Sequence, residues 1–173
     1  MPTIRVLLVD DHQVVRERLK RMLEPDKDIK VVGEAVNGED AITQAELLSP
    51  DVILMDIKMP DMDGITATRQ VSQKMPDVKV IMLTLYEYVT EAIEAGASGY
   101  ILKDASRERL IQAIYDTYNG YSPLAPSLTR QVFTELANLS RVSRDSLLSE
   151  RQCEILRLIA AGLASRDIIT LTY

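Results

Sequence analysis

The stretch 51-DVILMDIKMPDMDG-64 decides the fold. It opens with four apolar residues in a row, Val52–Met55, a pattern typical of a strand that is buried on both faces. Asp56 stands where this run stops, and a short loop with a proline, two further acids and a glycine follows it. A carboxylate at the end of a buried strand is costly unless it is paired or used, so we interpret Asp56 as a candidate functional residue.

The same unit of apolar strand followed by helix recurs along the first 120 residues. We predict strands at 4–9, 30–35, 52–55, 78–83 and 100–102. We predict helices at 14–23, 38–48, 65–74 and 87–95, and a last helix from the N-cap Ser106 to Asn119, with Gly120 after it. Strands that are continuous apolar runs, alternating with helices, indicate an α/β fold with a parallel sheet covered on both faces.

The composition of the chain says less about its function than this strand and helix pattern does. The 173 residues are 46% hydrophobic and 27% charged, as in ordinary soluble domains, and no signal peptide or membrane-length apolar run is seen, so we expect a cytoplasmic protein. Residues 1–121 carry a net charge of −7, which argues against direct nucleic-acid contact, and residues 122–173 carry +1. Cys153 is the single cysteine, which excludes a disulfide within one chain.

Polar side chains mark the carboxyl ends of the predicted strands, which share one edge of a parallel sheet. Asp10 and Asp11 follow the first strand, Asp56 the third, Thr84 the fourth and Lys103 the fifth. Carboxylates about 4 Å apart repel by roughly 4 kcal/mol at an effective dielectric near 20, so they need Lys103 and a hard cation such as Mg²⁺. This set suits phosphoryl transfer, with Asp56 as the nucleophile that forms an acyl phosphate.

Taken singly, each of these residues has a plainer interpretation. An aspartate pair after a strand is often only the start of a helix. Thr84 alone reads as a strand-end residue, and Tyr100 alone as a half-buried aromatic. His12 follows the acids, and we interpret it as a surface or capping residue rather than a metal ligand. The functional interpretation depends on all the positions occurring together.

Together, Asp10-Asp11, ILMDIKMPDMDG (53–64), Leu83-Thr84 and GASGYILKD (96–104) resemble, in this order, the receiver domain of response regulators. The resemblance covers residues 1–121 and implies a flavodoxin-like, doubly wound sheet of five parallel strands in the order 2-1-3-4-5. It implies that Asp56 accepts phosphate from a sensor histidine kinase. It also implies that Mg²⁺ is bound by Asp10, Asp11, Asp56 and the backbone carbonyl of Lys58. In the same way it assigns phosphate binding and switching to Thr84, Lys103 and Tyr100, and the shaping of the loop to Pro60 and Gly64.

The remainder of the chain resembles a second module. Residues 122–147 are predicted to form a linker with a helix, and residues 148–173 resemble the start of the LuxR-type helix-turn-helix of the NarL/FixJ family, with a capping box at Ser149–Gln152. The recognition helix that would read DNA is missing from this pattern, so we expect a C-terminally truncated member. The loop between Thr84 and Tyr88 is shorter than in the family pattern, by about three residues.

These features favour a phosphorylation-controlled transcription regulator that is not an enzyme beyond its own phosphorylation and dephosphorylation. The implied partners are a sensor histidine kinase, a second copy of the chain upon phosphorylation, and promoter DNA only if a complete helix-turn-helix exists; no membrane partner is implied. The alternative is a phospho-switched protein-interaction module without DNA binding. A phosphatase that uses an aspartyl intermediate is a third hypothesis, which lacks a substrate-sized cap domain.

Overall fold

A computed structural model of the chain describes residues 3–84 and 89–122. Five strands and five helices alternate there: β1 (Ile4–Val9), α1 (Gln13–Leu23), β2 (Ile29–Ala35), α2 (Gly38–Leu48), β3 (Val52–Asp56), α3 (Gly64–Lys74), β4 (Lys79–Thr84), α4 (Val89–Glu94), β5 (Gly99–Leu102) and α5 (Arg107–Tyr118). The strands form one parallel sheet in the order β2-β1-β3-β4-β5. The predicted fold class and strand order are confirmed.

The sheet has a separate apolar layer on each face, because successive residues of a strand point to opposite sides. On β1, Leu7 and Val9 pack into the layer formed with α2, α3 and α4, whereas Val6 and Leu8 pack into the layer formed with α1 and α5. All five residues of β3 are buried. This double burial explains why β3 reads as an unbroken apolar run and why its end is held rigidly.

Side-chain caps fix where three of the helices begin. The Ser106 hydroxyl accepts from the backbone N–H of Arg109, which confirms the predicted cap of α5. Asn37 caps α2 and Asp63 caps α3 in the same way, at 2.9 Å and 2.7 Å. Each of these bonds satisfies an N–H group that the first turn of a helix leaves without a partner.

The observed strand ends differ from the predicted ones in a way that concerns the site. Asp56 and Thr84 are the last residues of β3 and β4, whereas the sequence pattern ended both strands one residue earlier. The parallel ladder continues past the apolar run, with Asp56 opposite Leu83 and Thr84 opposite Leu102. Both polar side chains are therefore anchored by sheet pairing rather than by a loop.

Several predictions concern residues outside the described ranges. These are the short loop before Tyr88, the linker and helix at 122–147 beyond Ser122, and the partial helix-turn-helix at 148–173 with its capping box. Within residues 3–84 and 89–122, no helix has the length and apolar character that crossing a bilayer requires.

One buried hydroxyl predicts a stabilising substitution. Thr117 of α5 is buried, and its Oγ1 lacks a hydrogen-bond partner among the residues that the structure describes. Thr117→Val replaces this hydroxyl with a methyl group of similar shape, so we expect the free energy of unfolding to rise by about 1 kcal/mol. Urea denaturation measures the change.

A matched control for this substitution is Thr68→Val on α3. The equally buried Thr68 hydroxyl donates to the Gly64 carbonyl at 2.6 Å, so its removal should lower stability instead. A loss of stability in Thr117→Val as large as that in Thr68→Val would contradict the prediction.

Candidate functional site

The predicted edge of the sheet brings two carboxylates and one ammonium into direct contact. The Nζ of Lys103 lies 2.8 Å from Oδ2 of Asp10 and 2.9 Å from Oδ2 of Asp56. Asp10 follows β1, Asp56 ends β3 and Lys103 follows β5, so three strands that are separated in sequence supply the cluster. Asp10 is fully buried and Asp56 is 5% exposed, which makes the lysine their main counter-charge.

Backbone N–H groups hold the second oxygen of each carboxylate. Asp10 Oδ1 accepts from the N–H of His12 at 2.9 Å, and Asp56 Oδ1 accepts from the N–H of Ile57 at 2.7 Å. Each carboxylate is thus bound at both oxygens, which fixes its plane. A carboxylate with a fixed plane presents its free lone pairs in a defined direction.

The charges within this cluster do not cancel. Burial raises the pKa of Asp56, although the hydrogen bond from Lys103 works in the opposite direction. Burial also disfavours the charge on Lys103, but its hydrogen bonds to Asp10 and Asp56 outweigh this and raise its pKa above the usual value. The lysine therefore stays an ammonium, and a single ammonium balances only one of the two carboxylates when both are ionised.

Thr84 and Tyr100 lie next to this cluster on β4 and β5. The Thr84 carbonyl accepts from the N–H of Lys103 at 2.8 Å, which ties the strand end to the lysine. Tyr100 is only 2% exposed, and burial raises the pKa of its phenol, while its hydrogen bond with the Thr84 side chain acts in the opposite direction. Tyr100 is therefore buried in contact with the Thr84 side chain, and the role of both residues in switching stays a prediction.

An open groove lies beside the loop that follows Asp56. It has a volume of about 460 Å³. The residues that line it follow β1, form the loop between β3 and α3, or belong to the first turn of α3: Asp11, Ile57, Lys58, Met59, Pro60, Asp63 and Ile65. The predicted residues Asp11, Lys58 and Pro60 thus line this groove rather than the buried cluster of Asp10, Asp56 and Lys103.

Gly64 shapes the loop through lack of a side chain. Its N–H donates to the Ile57 carbonyl at 2.9 Å, which closes the loop after Asp56. A Cβ atom placed on Gly64 would lie 1.8 Å from the carbonyl oxygen of Asp56. Pro60 takes part in the same loop, where its carbonyl accepts from the N–H of Met62 at 2.8 Å.

The residues present fit a hard divalent cation by the chemistry of their donors. Among the described residues, Asp10, Asp11 and His12 offer ligand atoms that all lie within 4.8 Å of one another. His12 is exposed at the N-cap position of α1, and its Nδ1 lies 2.8 Å from Asp11 Oδ1. Carboxylate oxygens in a site with surplus negative charge are the ligands that Mg²⁺ prefers.

Two contacts with residues of the site were not predicted from the sequence. Arg16 Nη1 donates to the backbone carbonyl of Asp10 at 2.6 Å, and Arg18 Nη1 donates to the carbonyl of Lys103 at 3.3 Å. Arg16 also pairs with Glu34 of β2 through its Nε, at 3.0 Å. Only the packing of α1 against β2 and β5 reveals these contacts, and no motif in the sequence carries them.

Comparison with known proteins places the fold and the site in context. Residues 6–115 match the family model of the response regulator receiver domain. The chain is 39% identical to the response regulator protein VraR of Staphylococcus epidermidis over an alignment 173 positions long, which covers 98% of this chain and 82% of VraR.

Two solved structures are also similar. A two-component response regulator of the LuxR family from Aurantimonas sp. has a TM-score of 0.73 and 33% identity, covering 78% of this chain and 99% of that one. The response regulator ChrA of a heme-sensing two-component system has a TM-score of 0.67 and 37% identity, covering 96% of this chain and 79% of that one. The chain belongs to the response regulators of two-component systems and contains their receiver domain.

Proposed function

We propose that this protein is a phosphorylation-controlled switch in which Asp56 accepts a phosphoryl group from a phosphohistidine of a sensor histidine kinase. One observation carries the proposal: the Asp56 carboxylate ends β3 in contact with the Lys103 ammonium, beside a groove that opens to solvent. A carboxylate in this setting is a rigid nucleophile with a counter-charge already in place. Membership of the response-regulator family supports the same chemistry.

The reaction that we propose balances as follows. A carboxylate oxygen of ionised Asp56 attacks phosphorus and forms the O–P bond of an acyl phosphate. The P–N bond to the donor imidazole breaks, and the imidazole keeps its electron pair. Lys103 remains an ammonium because its pKa is raised, so it can pair with the new phosphoryl oxygens. Because burial raises the pKa of Asp56, acceptance should weaken at acid pH, where the carboxylate takes up a proton.

We assign a Mg²⁺ site to the carboxylates of Asp10, Asp11 and Asp56 with the carbonyl of Lys58. When bound, the ion would supply positive charge against the charge that develops on the phosphoryl oxygens. The residues of the chain have a separate task, which is to keep several hard oxygen donors at one edge of the sheet. The surplus negative charge of the Asp10, Asp56 and Lys103 cluster supports this assignment.

The signal would leave the site through Thr84 and Tyr100. We propose that the Thr84 hydroxyl donates to a phosphoryl oxygen and gives up its present hydrogen bond with Tyr100. Tyr100 is almost fully buried, so a change in its hydrogen bonding is felt by the packing of β4 and β5. A two-state response of this kind is the usual way in which a local charge change alters a distant surface.

We extend the proposal to the output by likeness to the relatives. VraR and the Aurantimonas protein are response regulators, and the latter is described as a LuxR-family member. On this basis we propose that phosphorylation promotes a homodimer and controls transcription in the cytoplasm, through a DNA-binding module to which residues 148–173 belong. A phospho-switched interaction module without DNA binding is the alternative, and salt-dependent binding to promoter DNA separates the two.

Intact-mass measurement tests the phosphoryl acceptor. After incubation with acetyl phosphate and Mg²⁺, we expect the protein to gain one phosphoryl group and Asp56→Asn to gain none, because the amide is not a nucleophile. Asp51→Asn is the matched control: Asp51 precedes β3, at the opposite end from Asp56, and accepts from the N–H of Arg5. Asp51→Asn should gain the group as the wild type does.

The outcomes separate clearly. A wild-type protein that gains no phosphoryl group would refute the proposed function. A group that persists in Asp56→Asn would place the acceptor elsewhere.

A further inference from the structure

The side chain of Arg16 contacts the backbone of the site rather than the side chains of the site residues. The guanidinium Nη1 donates to the carbonyl of Asp10 at 2.6 Å, and the Arg16 side chain is only 12% exposed. The same guanidinium is held from a second direction by Glu34, whose Oε2 accepts from Nε at 3.0 Å. An arginine with two fixed acceptors has little freedom left, so it can hold a peptide in one orientation.

The peptide that Arg16 holds joins the two aspartates at the end of β1. The carbonyl of Asp10 and the nitrogen of Asp11 belong to one planar peptide unit. Asp10 has its own N–H bonded to Ala35 of β2 at 3.2 Å, and the chain leaves the sheet directly afterwards. Rotation of this peptide would therefore swing Asp11 relative to Asp10, and the contact from Arg16 opposes that rotation.

Glu34 is suited to hold Arg16 because it stays ionised. Its hydrogen bond from Lys20 lowers its pKa most, burial acts in the opposite direction, and the hydrogen bond from Arg16 lowers the pKa further. Lys20 also forms an ion pair with Glu34. The glutamate offsets the charge of Arg16, so the arginine can approach the carboxylate site without adding its full positive charge there.

We propose that Arg16, held by Glu34, is a positioning residue that sets the Asp10–Asp11 peptide for binding of a divalent cation. This inference rests on the proposed function, because it concerns the cation site assigned there. Neither residue touches the cation, and their action is through the orientation of the two aspartates. Residues of this kind around metal sites change metal affinity by about 10- to 100-fold when they are replaced.

The sign of the effect distinguishes this role from simple electrostatics. Removing the positive charge of Arg16 from the neighbourhood of an acidic site should, through charge alone, make Mg²⁺ bind more tightly. Loss of positioning has the opposite result, because the aspartates must then be ordered when the ion binds. Arg16→Met, which keeps a long apolar side chain but loses the donors, should therefore weaken Mg²⁺ binding about tenfold.

The test is calorimetric titration of the full chain with Mg²⁺, without any phosphodonor, together with the melting temperature of each variant. Arg5→Met is the matched control, because Arg5 Nη2 also donates to a backbone carbonyl, that of Leu48, at 2.6 Å, but it lies at the start of β1. Arg5→Met should lower the melting temperature and leave the Mg²⁺ dissociation constant unchanged. Arg16→Lys should recover part of the affinity, since a lysine keeps a single donor.

Each outcome decides the matter. Unchanged or tighter Mg²⁺ binding in Arg16→Met would overturn the inference, as would an equal loss of affinity in Arg5→Met, which would indicate general loosening of the fold. A wild-type chain that binds no Mg²⁺ and accepts no phosphoryl group would instead refute the proposed function. If the wild type is phosphorylated and Arg16→Met is phosphorylated equally well at the same Mg²⁺ concentration, only the positioning role of Arg16 is refuted and the proposed function stands.

Discussion

Replacing Lys103 with methionine is expected to lower the free energy of unfolding by roughly 3 kcal/mol, measured in urea with EDTA present, because it leaves buried carboxylates without their partner. Lys103 Nζ is within 2.9 Å of both Asp10 and Asp56, and both acids are almost fully buried. Methionine fills a similar volume, so packing contributes little to the loss. Phosphoryl acceptance should fall as well, since the counter-charge of the nucleophile is gone.

The pH dependence of this variant has a defined sign. Lys103 lowers the pKa of Asp56 against the larger effect of burial, so its removal raises that pKa further. A folded-state pKa above the unfolded value means that stability is greatest below the unfolded pKa and is lost as the pH rises through the folded one. The deficit of Lys103→Met should therefore narrow as the pH falls from neutral and Asp56 takes up its proton.

Two further variants complete this test. Lys79→Met is the control, because Lys79 lies at the start of β4 and its Nζ donates to the carbonyl of Pro76 at 3.2 Å in an exposed setting. It should behave like the wild type. Adding Asp56→Asn to Lys103→Met should restore part of the lost stability, because one of the two uncompensated charges is removed. A Lys103→Met protein as stable as Lys79→Met at neutral pH would contradict the assigned charge balance.

Gly64→Ala is the second substitution with a large expected effect. The new methyl would lie 1.8 Å from the carbonyl oxygen of Asp56, a backbone atom that sheet pairing holds in place. Either α3 or the end of β3 must shift, at a cost of about 3 kcal/mol, the upper part of the range for overpacked cores. We expect a lower urea midpoint and slower phosphoryl transfer from acetyl phosphate, since the shift displaces Asp56.

Gly120→Ala separates crowding from backbone strain. Gly120 follows α5 with φ of +88°, and a Cβ there would meet no atom of residues 3–84 and 89–122 within 4 Å. This variant bears only the strain of the left-handed region, about 1–2 kcal/mol, and should accept phosphate at the wild-type rate. Equal phosphorylation rates in Gly64→Ala and in the wild type would show that the loop adapts and that Gly64 does not set the position of Asp56.

The sequence was informative about the sheet and about the location of the site, because a general rule of protein structure predicts each of them. Continuous apolar runs that alternate with helices predict a parallel sheet, and the carboxyl ends of parallel strands share one edge. These two rules are sufficient to predict that Asp10, Asp56, Thr84 and Lys103 lie together, as they do. Their roles in phosphoryl transfer stay predictions until the acceptor is tested.

The sequence was less informative about features that depend on how helices and strands pack against one another. The sequence pattern ends β3 and β4 one residue before Asp56 and Thr84, because a polar residue after an apolar run resembles the start of a loop even when it still pairs in the sheet. The contacts of Arg16 with Asp10 and Glu34 join α1, β1 and β2, and nothing in the local pattern marks them. The caps by Asn37 and Asp63 follow a known local rule and could have been predicted.

Lys103 is in contact with the ends of three other strands and with helix α1. Its ammonium joins the ends of β1 and β3, its N–H is bonded to the end of β4, and its carbonyl accepts from Arg18 of α1. If Asp56 accepts a phosphoryl group as proposed, the change in its charge would act on a residue that is held by three other contacts. Under the proposed function, Lys103 would couple the charge on Asp56 directly to the ends of β4 and β5, and so act beside the route through Thr84 and Tyr100.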